Sequence, residues 1–85
     1  MEIIKTDDFI GQLRKLPVEI RYLYERQEAI FLRNQFDHRL HLKRILMLEG
    51  VYSFRITRRY RCLFYFQSKE VVVFFTIGHR KDIYH

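Results

Sequence analysis

The chain has 85 residues, with 16 Lys and Arg against 10 Asp and Glu, a formal charge of +6 and a pI near 9.8. A chain this short buries only about 60% of its unfolded surface, which excludes two cores and makes residues 1–85 one domain. The lone cysteine, Cys62, excludes an internal disulfide and any Cys-based zinc site, and the longest apolar run, Val71–Phe75, falls far short of the ~18 residues that span a membrane. The expectation is a cytoplasmic protein without metal, cofactor or membrane contact, built on a core of 6 Tyr and 8 Phe, whose basic charge calls for an anionic partner. That charge is unevenly placed. Residues 1–36 carry six basic and six acidic side chains, whereas residues 37–85 carry ten and four, together with all four histidines.

Taken in order, Glu2–Thr6 is β-branched and reads as a short strand, closed by Thr6, Asp7 and Asp8, which are good helix N-caps. Phe9, Leu13 and Leu16 then recur at helical spacing, and Pro17 sets a corner between this helix and a second one over residues 18–34. The second helix has two apolar stripes. Ile20, Tyr24 and Phe31 lie nearly opposite Val18, Tyr22, Ala29, Leu32 and Phe36, so one stripe packs on a sheet and the first helix is expected to cover the other, the alternative being a partner protein. Residues 36–49 form a basic connector that ends at Gly50. Three strands follow, at 51–57, 60–67 and 70–77, giving an α+β fold: an N-terminal strand, a two-helix hairpin and a three-stranded antiparallel meander in one twisted sheet.

The register of the first hairpin follows from its faces. A two-residue loop at Arg58 and Arg59 would oppose Ile56 to Arg61, mixing core with surface. A three-residue loop, Thr57 to Arg59, pairs Ile56 with Tyr60, Phe54 with Cys62 and Arg55 with Arg61. The last pair sets like charges face to face on the polar side of the hairpin, which is unfavourable unless an anion binds there. Arg55 and Arg61 are therefore the leading candidates for gripping phosphate, with Arg80 downstream. Gly78, His79 and Arg80 are expected just beyond the last strand, where His79 can exchange protons near neutral pH, and Tyr84 can stack on a base. His41, Lys43 and Arg44 crowd the connector, and Arg58 and Arg59 the loop, as further basic contacts. Cys62 falls on the core face and reads as an inert hydrophobe.

These motifs resemble the RelE/ParE superfamily of toxins from toxin–antitoxin systems. The resemblance covers nearly the whole chain: two helices meeting at Leu16-Pro17, the Leu42-Lys43 connector, the YSFRI and YRCLFYF hairpin, and a last strand ending IGHRKDIY. It implies a sheet that carries the active face, a cognate antitoxin as partner, and a ribosome-dependent endonuclease that cuts mRNA when the ribose 2′-oxygen attacks the adjacent phosphate. Arg61 is similar to the family arginine that stabilises the phosphate, Arg80 to the basic residue after the last strand, and Tyr84 to the tyrosine near the terminus. Arg55 and Ser53 stand where some members have catalytic lysines. SFRIT resembles the YoeB branch, whose glutamate base has no counterpart near Leu40 and His41, so His41, His79 and Tyr84 remain as proton carriers. Two other readings accompany the resemblance: a ParE-like gyrase inhibitor, and an inactive homologue that only binds its antitoxin.

Overall fold

The computed structural model describes residues 1–83, so Tyr84 lies outside the described residues. Its elements are β1 (Glu2–Lys5), α1 (Asp7–Lys15), α2 (Val18–Arg33), a 3₁₀ turn (His38–Leu40), β2 (Lys43–Arg44), β3 (Val51–Arg55), β4 (Tyr60–Phe66), β5 (Val71–His79) and α3 (Arg80–Ile83). The α+β fold is as expected, with two additions. The connector contributes a fifth strand, β2, and a short helix follows β5. The sheet order is β1-β5-β4-β3-β2, with β1 parallel to β5 and every other pair antiparallel.

Local chemistry sets the boundaries. The Thr6 hydroxyl caps α1 by accepting from the Phe9 N–H at 3.1 Å, with Asp7 and Asp8 in the first turn where the helix dipole favours them. Leu16 is extended because a residue before proline is pushed out of the helical region. Pro17 stands immediately before α2, and its carbonyl accepts from Ile20 and Arg21.

The core lies between the helices and one face of the sheet. Phe31 is its hub, with ring centroids 5.5 Å from Phe54 on β3, 5.2 Å from Phe64 on β4 and 5.3 Å from Phe74 on β5. One aromatic side chain thus ties α2 to three strands, edge-on to Phe64 and Phe74 as the ring quadrupoles favour and tilted by 34° against Phe54. At the margin of the core Tyr24 donates to Glu28 at 2.8 Å, and Lys5 pairs with the same carboxylate at 2.6 Å. Among the described residues this joins α2 to the start of the sheet.

Two strand ends and one packing contact differ from the sequence reading. β3 ends at Arg55 rather than Thr57. β5 runs to His79, two residues past the expected end, because its ladder continues with Arg61 opposite Gly78 and Tyr60 opposite His79. The outer stripe of α2 is not covered by α1: Val18, Tyr22, Ala29, Leu32 and Phe36 are all exposed, while Tyr24, Gln27, Ile30 and Phe31 face the core. The Leu16-Pro17 corner directs α1 against β5 instead.

The buried Tyr24 phenol is pushed well above its usual range, first by desolvation, and burial likewise pushes the Cys62 thiol up. Folded Tyr24 therefore stays neutral where the unfolded chain ionises, so its contribution is present below about pH 10 and lost as pH rises beyond that. Denaturant midpoints should fall progressively as the pH rises above about 10. Tyr24→Phe should flatten that fall, at a cost near neutral pH of about 1 kcal/mol for the lost hydrogen bond to Glu28.

Candidate functional site

The expected hairpin register is the observed one: Phe54 pairs with Cys62 and Arg55 with Arg61, and the Ile56 N–H donates to the Tyr60 carbonyl at 2.9 Å. Thr57 closes the loop, its hydroxyl accepting from the N–H groups of Arg59 at 3.2 Å and Tyr60 at 3.3 Å. With Phe54 and Cys62 in the core, alternation sends the flanking residues to the opposite sheet face. Two rows result there. Lys43, Ser53, Leu63 and Thr76 form one across four strands, and Arg55, Arg61 and Gly78 form the next.

This face is less open than the sequence suggests. Arg61 was expected on an exposed polar surface, yet it is only 5% exposed, and Ser53 is fully buried. Three buried polar atoms on the face have no hydrogen-bond partner: Ser53 Oγ, Arg55 Nε and Arg61 Nη1. The ion pairs among the described residues are formed by Lys5, Arg39 and His38, so neither of these two arginines is neutralised by one. A guanidinium stays charged at any ordinary pH, and leaving it buried with unmet donors is costly. The arrangement is suited to a bidentate anion such as phosphate, which supplies both the charge and the missing acceptors.

Basic side chains border the pair. The Arg80 N–H donates to the Arg59 carbonyl at 2.7 Å, tying the start of α3 to the β3–β4 loop, and Arg58, Arg59 and Arg80 are all exposed there. Gly78 is closely approached by α3: a β-carbon on it would lie 3.1 Å from Ile83 Cγ2, so a larger residue would require that side chain to shift by a few tenths of an ångström. Lys43 and Arg44 are exposed on the edge strand. His41, also exposed, has left-handed backbone (φ 46°) just after the 3₁₀ turn, a conformation costly for a non-glycine residue and often found at functional positions.

His79 is separated from this group. A β-bulge opposite Leu63 and Phe64 changes the parity of β5, so that Val72 and Phe74 are followed in the core by Ile77 instead of Thr76. His79 consequently shares the helix-covered face with Tyr60, ring to ring at 5.3 Å, and its Nδ1 accepts from the Lys81 N–H at 3.1 Å. It lines a cleft of about 550 Å³ with Leu16, Pro17, Tyr60, Gly78 and Asp82, whose lining includes neither Arg55 nor Arg61.

One residue of the site region escaped the sequence reading. Gln27, 2% exposed, donates from Nε2 to the Arg55 carbonyl at 2.7 Å and to the Arg39 carbonyl at 3.0 Å, so it fixes both the end of β3 and the connector to α2. The available signal was a lone amide on the inner stripe between Tyr24 and Phe31, where a polar group must have a specific partner. Among the described residues no three His, Cys, Asp or Glu side chains gather to hold a metal.

No family model matches the sequence, and no curated protein matches it. Solved structures do. A chain of the RelB–RelE antitoxin–toxin complex from Methanococcus jannaschii superposes with a TM-score of 0.77 at 22% identity, covering 95% of this chain and 94% of its own. This chain has the RelE fold. The YoeB/ParE toxin from Agrobacterium tumefaciens gives 0.78 at 12% identity over 94% and 99% of the two chains, and YafQ from E. coli gives 0.78 at 8% over 99% and 98%. Such low identities with such complete coverage mean that this RelE-fold chain shares the backbone arrangement and few of the side chains.

Gln27→Leu should cost about 2 kcal/mol in urea denaturation, because two carbonyls lose their donor. Gln27→Met, also without a donor, should cost about the same. A loss below about 0.5 kcal/mol in both would show that water replaces the amide.

Proposed function

We propose that the protein is the toxin of a toxin–antitoxin pair and acts as a ribosome-dependent mRNA endonuclease. The observation that carries this reading is the Arg55–Arg61 pair, with Arg61 buried, positively charged and lacking an acceptor at Nη1, on the sheet face opposite the helices and bordered by the exposed Arg58, Arg59 and Arg80. The RelE fold supports it. Donors already fixed in place and short of partners cost no reorganisation when charge develops on a phosphate, which is the main source of catalytic power in phosphoryl chemistry.

In this reading the ribose 2′-oxygen attacks the neighbouring phosphorus while Arg61 and Arg55 hold the non-bridging oxygens and Arg80 contributes from the rim. The bond to the 5′-oxygen breaks, giving a 2′,3′-cyclic phosphate and a 5′-hydroxyl. Charge is met by arginine, so the step calls for no metal. Lys43 and Ser53, paired beside the arginines, reach the same face, and Lys43, Arg44, Arg58 and Arg59 supply contacts to ribosomal and messenger RNA. Of the two histidines, His41 is the better placed to carry the proton, since it precedes Lys43 on the connector and is solvent-accessible, whereas His79 faces the helices. Tyr84 stacks on a base in the same reading. An antitoxin with an acidic segment covers the basic face, and the setting is the cytoplasm, where ribosomes are.

The test is cleavage of mRNA on programmed ribosomes, with the ends mapped. Arg61→Met keeps the volume and removes a buried charge, so it should fold at least as stably as the parent while cleaving on the order of 10²-fold more slowly or worse. Cleavage at the parental rate would remove Arg61 from the site. Inhibition of gyrase supercoiling with intact mRNA would replace the nuclease reading altogether.

A further inference from the structure

α3 is a single turn of four residues, Arg80–Ile83, too short to persist by itself, so whatever fixes it decides where Arg80 is held. Two bonds tie its start. The Arg80 N–H donates to the Arg59 carbonyl at 2.7 Å, and the next N–H, of Lys81, donates to His79 Nδ1 at 3.1 Å. The second bond joins a side chain to the backbone two residues on, as Asn and Asp side chains do at helix starts, and it closes a ring around the Arg80 backbone. His79 is itself held in place. It ends β5 opposite Tyr60, and the two rings meet edge to face with centroids 5.3 Å apart. At the other end of α3, Ile83 lies against Gly78.

We propose that His79 is a positioning residue whose imidazole caps α3, and so holds Arg80 at the border of the Arg55–Arg61 pair, as long as Nδ1 carries no proton. Only the use made of Arg80 rests on the nuclease reading. The cap is a matter of one lone pair: a protonated Nδ1 is a donor, so it would face the Lys81 N–H with a second N–H, and the bond is lost.

Charge acts in the same direction. A proton on His79 adds to a neighbourhood that already holds Lys15 at the end of α1, Arg59 in the β3–β4 loop, and Arg80 and Lys81 on α3. Asp82 on α3 is the carboxylate lining the same cleft, and Tyr60 is the other titratable ring. The ion pairs among the described residues lie elsewhere, at Lys5, His38 and Arg39, so Asp82 makes none with the imidazole. The capped form thus excludes a proton that the uncapped form accepts. Its stability is present at alkaline pH and is lost as the pH falls from about 8 to 5, the range in which imidazoles titrate.

The test is amide hydrogen exchange of the labelled full chain by NMR, with mRNA cleavage on programmed ribosomes measured alongside. Protection of the Lys81 amide, relative to an unstructured peptide, should fall about 2- to 30-fold between pH 8 and 5, the strength of one side-chain cap, and should follow the titration of the His79 ring protons. His79→Asn keeps an acceptor and cannot titrate there, so its Lys81 protection should be independent of pH and its cleavage at pH 8 within about 2-fold of the parent. His79→Phe keeps a ring beside Tyr60 without an acceptor, so protection should be low at every pH and cleavage at pH 8 about 5-fold slower or worse. Lys81 protection that ignores the His79 titration, or that survives in His79→Phe, would overturn the cap. Equal loss of cleavage in His79→Asn and His79→Phe would overturn the positioning role and make the imidazole itself the proton carrier. If the parent cleaves no mRNA, the nuclease reading fails, and the exchange measurement alone then upholds or overturns the cap.

Discussion

The register of the β3–β4 hairpin is the constraint on which the rest of the molecule depends. Side chains alternate with a period of two, so a slip of one residue would turn Phe54, Cys62 and Phe64 outward and bury a line of arginines against α2. The loop prevents it. Thr57 accepts two backbone N–H groups within three residues, which closes a three-residue turn and leaves no position for another register. Phe31 can then meet rings from three strands at once, and Gln27 can reach the carbonyl of Arg55 from the neighbouring turn of α2.

Much of this is legible in the sequence because it rests on local patterns. Thr6 and the two aspartates start α1, Leu16-Pro17 makes the corner, and the opposed Ile56–Tyr60 and Arg55–Arg61 pairs follow from sorting apolar from polar positions. What is not legible depends on neighbours distant in the chain. β2 is two basic residues, Lys43 and Arg44, with no intrinsic preference to be a strand; it becomes one because β3 offers it a free edge. Coverage of the outer stripe of α2 depended on where α1 went after the corner, which the stripe itself does not encode. Arg61 reads as exposed because its strand alternates cleanly, and its burial is a property of the folded surface around it.

The site residues illustrate how one irregularity rearranges a prediction. Counted as a regular strand from Val72, the last strand would put His79 on the side of the arginines and Gly78 among the core residues. The bulge at Phe75 and Thr76 reverses both. A side chain is thereby absent beside Arg61, and an imidazole is withdrawn to the face of Tyr60. Bulges carry little sequence signal, because the extra residue is recognised only against its partner strand, here Leu63 and Phe64.

Buried donors without acceptors also link the site to stability. Each unmet donor on Ser53, Arg55 and Arg61 raises the free energy of the unliganded fold, and the aromatic core has to offset that cost. An anionic group held by the pair, such as a phosphate or a carboxylate, would return those hydrogen bonds and stabilise the fold by mass action, in proportion to the logarithm of its concentration over its dissociation constant. Occupancy and folding would then be coupled through Arg55, Arg61 and the Gln27 amide that holds the Arg55 carbonyl, because the same buried charge that weakens the empty fold is what an anion would neutralise.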